Sequence, residues 1–192
     1  MTRRHRRKLS TLCLVAACGG SSTGPRGNED ASVVPVLPDG GGDGTVLGMA
    51  NGQPFLHVRT AYWIGAPDSA ATTVVYLLSS PVACRDLQTP GWDGRITDGT
   101  QILEMKLFGT TAPATFTVTT SPTPAPGEAS ANDTLSSTTG TPAETSASGG
   151  IVRLSSLSSS TSAVGTFQLA YAGGGSLMGD FQAVFCPGGH EP

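Results

Sequence analysis

Four cysteines, three histidines and a few carboxylates and aromatics are the side chains in this sequence with the capacity for chemistry. Cys13 and Cys18 crowd into the first eighteen residues, behind Arg3, Arg4, Arg6, Arg7 and Lys8. Cys84 and Cys186 lie about a hundred residues apart. An even pair in an exported chain defaults to one disulfide. Closing a loop of that length is worth roughly 4.7 kcal/mol by chain entropy. Two thiols do not make a zinc site, and "DGGGDG" (39–44) has neither a calcium-roll repeat nor twelve-residue EF-hand spacing. No metal and no cofactor is expected.

A nucleophile needs a base and a group to orient it. His57 sits between Leu56 and Val58 on the opposite, solvent-facing side of a strand, and His190 lies in the terminal "GGHEP". No nucleophile elbow, zinc helix or phosphate-binding glycine loop occurs. Asp86, Asp93, Asp98 and Glu104 are the carboxylates nearest to acid–base use, and turn chemistry accounts for Asp93 and Asp98. The expectation is a protein that is not an enzyme. Trp63 and Trp92 are the candidate ligand-binding residues, as an aromatic platform for a sugar ring or an apolar ligand. Tyr62 and Trp63 are strand neighbours and must face opposite sides, so only one of them can join Trp92.

The N-terminus sets the location. A basic segment, a short apolar run from Leu9 to Ala17 and a small-residue cleavage site read as a secretory signal peptide. The run is half the roughly 20 residues that span a bilayer as a helix. Val15-Ala16-Ala17-Cys18 resembles the lipobox of bacterial lipoproteins. That resemblance implies cleavage before Cys18, a diacylglyceryl thioether on its sulfur and acylation of the new N-terminus. Three chains, at about 0.8 kcal/mol per buried methylene, make a stable anchor. Gly19, where an inner-membrane protein of this kind has Asp, implies the outer membrane. Cys13 is discarded with the leader.

Once the leader is removed, six bases remain (Arg26, Arg59, Arg85, Arg95, Lys106 and Arg153) against fourteen acids, a net charge of −8. There is no basic footprint for nucleic acid, and no attraction to anionic headgroups. The lipid must carry the membrane contact. Other partners are expected to be an envelope protein or a polysaccharide.

The elements that position these residues are short. Charged residues make up only 13% of the chain, and apolar stretches alternate with Gly, Pro, Asp and Ser clusters. That rhythm predicts an all-β fold. Residues 1–17 are the leader, 18–44 a flexible Gly/Pro/Ser-rich tether, 45–187 the folded domain and 188–192 a disordered tail. Asn51-Gly52 marks a hairpin between strands at 45–50 and 54–64. "TTVVYLLS" (72–79) predicts a strand buried on both faces, and "PVACRDL" one helical turn. In "TQILEMKLFG", Leu103, Met105 and Leu107 face a core and Glu104 and Lys106 face water. Phe116 and Val118 continue the pattern. Residues 121–150 are Ser, Thr, Pro, Ala and Gly and predict a long mobile loop with a weak edge strand near 128–136. A closing hairpin puts Phe167, Leu169 and Tyr171 opposite Phe181, Ala183 and Phe185, and Gly179 predicts a bulge.

The predicted architecture is an antiparallel β-sandwich, with a flattened β-barrel as the alternative. "GMANGQPF", "VAC" and "VGTFQLAYAGGGSLMGDFQAVFC" resemble β-rich domains of predicted Gram-negative lipoproteins. The resemblance implies a fold and a location but no chemistry. The functional expectation is a non-catalytic structural or interaction role in the cell envelope, with a small-ligand or carbohydrate-binding module as the alternative.

Overall fold

The structure is a computed structural model that describes residues 40–192 except 51, 66–71, 110–112, 138 and 142. The leader (1–17), Cys18 and the tether as far as residue 39 lie outside the described residues. The fold is all-β and closes into an eight-stranded barrel, so the sandwich expectation is corrected to the barrel alternative. Ten strands form one continuous sheet: β1 Asp43–Ala50, β2 Gln53–Pro54, β3 Thr60–Gly65, β4 Thr72–Leu78, β5 Gln101–Phe108, β6 Ala114–Val118, β7 Glu128–Leu135, β8 Ala143–Leu157, β9 Ser162–Tyr171 and β10 Ser176–Phe185. The sheet runs β2-β1-β10-β3-β4-β5-β7-β6-β8-β9, and pairing of β9 back onto β10 closes it.

Glycine placement explains why a barrel forms rather than two flat sheets. Across β1, β10, β9 and β8, one inward row reads Gly48, Leu177, Leu169, Gly150. The next reads Val46, Gly179, Phe167, Val152, and the third Gly44, Phe181, Gly165, Leu154. Each row combines glycine with large residues, which lets a tightly curved wall fill its own interior. The space at these glycines is occupied. A Cβ on Gly179 would lie 1.8 Å from the Thr45 carbonyl oxygen and 3.0 Å from the Phe167 ring. A Cβ on Gly165 would lie 2.5 Å from the Phe181 ring. Gly179 therefore marks a close approach, and the β10 ladder runs past it without the predicted bulge. The register shifts fall in β8, between Ala147 and Gly149 and between Leu154 and Ser156. There β8 leaves β7, and β6 wedges between the two.

The predicted loop at 121–150 contains the first half of β8, and the weak edge strand expected near 128–136 is β7, which lies inside the sheet between β5 and β6. Its small residues are there because their neighbours are large: Ala131 sits beside Met105, and Ala129 beside Leu107. Ladder hydrogen bonds satisfy the backbone, so a segment with little apolar surface still orders.

A second layer covers the outside of β3, β4 and β5. The chain between β4 and β5 forms a single helical turn, α1 Cys84–Leu87, and a 3-10 turn, Trp92–Gly94. Val82, Leu87, Trp92 and Ile96 from this segment pack on Tyr62, Ile64, Val74, Tyr76 and Leu78. Strand β4 is thus buried on both faces, as its composition predicts. Burial of each such side chain contributes about 1.5–3 kcal/mol. The Cys84–Cys186 disulfide joins this cover to the end of β10, with the Cα atoms 5.5 Å apart.

Candidate functional site

The aromatic platform does not form. Trp63 points into the barrel, 4% exposed, with its ring centroid 4.5 Å from that of Phe185. Trp92 is fully buried in the outer layer, edge-on to Tyr76 at 5.2 Å. The wall formed by β3 and β4 separates the two rings, because strand alternation sends Tyr62 outward and Trp63 inward. Trp92 lies at a turn, yet the apolar faces of Tyr76 and Leu87 offer it more than water does.

The remaining candidates divide cleanly. His57 is exposed. Asp86 Oδ2 accepts a hydrogen bond from the Ala83 backbone N–H at 3.1 Å and so caps α1. The terminal segment 188–192 is tied down rather than disordered. The His190 N–H donates to the Leu87 carbonyl oxygen at 2.9 Å, and the Trp92 Nε1–H donates to the His190 carbonyl oxygen at 3.0 Å.

Glu104 departs from its expected wet face and is 8% exposed. Tyr76 donates to its Oε1 at 3.2 Å, and Asn132 Nδ2 donates to its Oε2 at 3.4 Å. Lys106 Nζ lies 3.6 Å from Oε1 and also bonds Glu191 Oε2. Burial raises the Glu104 carboxyl above its usual range against the pull of Lys106 and the two hydrogen bonds. Burial works to lower Lys106, but its bond to Glu191 and the two carboxylate charges outweigh this and raise it. Burial, then the charge of Glu104, pushes the Tyr76 hydroxyl far up. Every member of this network is partnered, and it fastens the C-terminal segment over β4 and β5. Its arrangement suits structure, because Tyr76, Asn132, Lys106 and Glu191 are engaged with Glu104 or with one another.

The opposite situation holds at one mouth of the barrel. A cavity of about 250 Å³ opens between the ends of β1, β5, β7 and β8. Ala50, Pro54, Leu56 and Leu135 form its apolar wall. The Gln101 side chain braces one rim, accepting from the Leu56 N–H at 2.7 Å and donating to the Pro54 carbonyl oxygen at 3.3 Å. Asp133 lines the cavity, with a buried Oδ1 that has no hydrogen-bond partner among the described residues. Burial alone pushes its carboxyl up to about 6. The Tyr171 hydroxyl is also buried and has no hydrogen-bond partner among the described residues. Burial, and then the nearby Asp133 charge, raises its pKa.

Sequence reasoning missed Asp133 and Tyr171 as a pair. The available signal was phase: Ala129, Ala131 and Asp133 alternate in "EASANDTL", which places a carboxylate at an inward position once that segment is a strand.

A shallower groove of about 790 Å³ crosses the outside of β1, β10, β9 and β8 and contains Asp43, Arg153, Thr166 and Asp180. Asp180 is held there by the Thr45 hydroxyl at 2.8 Å. Beside the groove, Leu47, Met178 and Ile151 are exposed on one outward row. Among the described residues, no group of three metal-ligating side chains occurs, and no helix is long and apolar enough to cross a membrane. No family model, curated protein or solved structure matches this chain.

Proposed function

We propose that this chain is an exported lipoprotein, anchored in the outer membrane through lipids on Cys18, whose barrel serves a non-catalytic interaction role in the cell envelope. The observation that carries the reading is the Cys84–Cys186 disulfide, which fastens the outer layer to the final strand. Such bonds persist in oxidising compartments and are rare in the cytosol. The signal-like segment before Cys18 and the acidic remainder support the same location. The partnered state of Glu104 and the exposure of His57 favour a role without catalysis.

Fractionation of cells producing the full chain tests this reading. The wild type sediments with outer membranes, and Cys18→Ala leaves the protein soluble in the periplasm or retained with an uncut leader. Equal outer-membrane association of both forms would contradict the anchor.

Small-ligand binding is the second reading, favoured by the barrel mouth with its unpartnered Asp133 Oδ1. The carbohydrate version loses its support, since Trp63 and Trp92 are buried on opposite sides of one wall.

A further inference from the structure

We infer that the barrel mouth binds a small aliphatic amine, with the ammonium group on Asp133 and the carbon chain against the apolar wall. This specifies the ligand for the second reading and does not depend on the lipid anchor, so either can fail alone.

Size bounds the ligand first. A cavity of about 250 Å³ holds about eight water-sized groups at roughly 30 Å³ each. Its wall is aliphatic, and Leu56 and Leu135 at its rim are 53% and 45% exposed. Large apolar side chains left in water around a concave opening are the usual lining of a ligand site. The Gln101 brace fixes the rim before a ligand arrives, which lowers the entropy lost on binding.

Charge then selects the head group. Asp133 is the charged side chain among the residues lining the mouth, and none of them is basic. Among the described residues, its buried Oδ1 has no partner, and the Tyr171 hydroxyl near it is in the same condition. A desolvated carboxylate without a cation is costly, and pairing it with a hydrogen-bonding cation removes that cost. An ammonium group supplies both a charge and three donors. An anion would be repelled. A divalent metal ion needs about six oxygen ligands, far more than one carboxylate offers. A sugar ring is held by stacking on an aromatic face, and no aromatic side chain is among the residues lining the mouth.

The test is an NMR titration of the ¹⁵N-labelled full chain at neutral pH with n-hexylamine, n-hexanol and n-hexanoate. All three have similar length and differ in the head group. Hexylamine is expected to bind with a Kd on the order of 0.1–1 mM, in line with the affinity available to about seven heavy atoms. The amide shifts should centre on Ala50, Leu135 and Thr145. Hexanol and hexanoate should bind at least about tenfold more weakly. Asp133→Asn, which removes a charge without changing shape, should abolish the preference. Leu135→Arg, at an exposed position, should weaken hexylamine about tenfold by placing a cation at the rim. Equal binding of the three compounds, no binding of hexylamine, shifts centred elsewhere, or an unchanged preference in Asp133→Asn would each overturn the inference.

Discussion

Trp92 donates its indole N–H to the carbonyl oxygen of His190 at 3.0 Å, across 98 residues of chain. The His190 backbone N–H in turn donates to the Leu87 carbonyl oxygen. The last residues therefore belong to the outer layer. Deleting residues 189–192 leaves the buried indole N–H and a carbonyl oxygen without partners and frees Lys106 from Glu191. Unsatisfied buried groups cost about 1–3 kcal/mol each. Urea denaturation should show a loss of about 2–4 kcal/mol. A truncated chain as stable as the full one would return this segment to the status of a loose tail.

The disulfide makes a related prediction. Replacing Cys84 and Cys186 together by Ala removes a cross-link spanning 102 residues. Loss of a native disulfide typically costs about 2–5 kcal/mol. For a domain of this size that corresponds to a fall in Tm of roughly 5–15 °C. Calorimetry of the double variant beside the wild type, with and without reductant, checks it. Only the wild type should respond to reductant.

Barrel closure depends on Gly179, where an added methyl group meets the Thr45 carbonyl oxygen and the Phe167 ring. Gly179→Ala must push β1 away from β10 or fail to fold. The expected destabilisation is at least about 3 kcal/mol, at the upper end of overpacking effects. Gly174→Ala, at the β9–β10 turn, has free space but a positive φ of 87°. It should cost only about 1 kcal/mol. Chemical denaturation of the two variants separates close approach from turn strain, and equal losses would refute the packing account.

Asp133 gives the pH dependence. Burial pushes its carboxyl from 3.8 up to about 6. A raised carboxyl pKa means that the folded state holds the proton more tightly than the unfolded one. Its favourable contribution is complete below pH about 4 and disappears as pH rises through about 6. Partial exposure screens the effect, so the change amounts to about 1–3 kcal/mol. Asp133→Asn should be as stable as or more stable than the wild type at pH 7 and lack this slope between pH 4 and 6. A wild-type curve that rises over that interval, unaltered in the variant, would show that the carboxyl is not desolvated.

Much of the strand pattern was legible before any coordinates. Phe167, Leu169 and Tyr171 alternate with polar residues, and that period fixes their inward face. The same holds for Leu103, Met105 and Leu107. The doubly buried strand 72–79 and the Cys84–Cys186 pair also follow from composition and compartment. Barrel closure was less legible, because it depends on glycines at Gly44, Gly48, Gly150, Gly165 and Gly179 that matter only when their cross-strand partners are known. Residues 121–150 read as a loop with a weak edge strand near 128–136 because Ala, Ser and Thr bury little by themselves. Ala129 and Ala131 order because the larger Leu107 and Met105 lie beside them across the ladder. The barrel mouth escaped because Asp133 becomes an inward carboxylate only once its segment is an interior strand with Ala129 and Ala131 on the core face. Trp92 misled because turn residues are usually exposed, whereas this turn folds back as a lid on β4.

The central claim is that the sulfur of Cys18 carries the anchor holding this barrel at the envelope. Intact-mass and N-terminal peptide spectrometry of the chain purified from membranes tests it directly. The account predicts a mature product beginning at Cys18, with a diacylglyceryl group on sulfur and an acyl group on the amino terminus. A product that begins at another residue, or a Cys18 thiol without fatty acids, would contradict it.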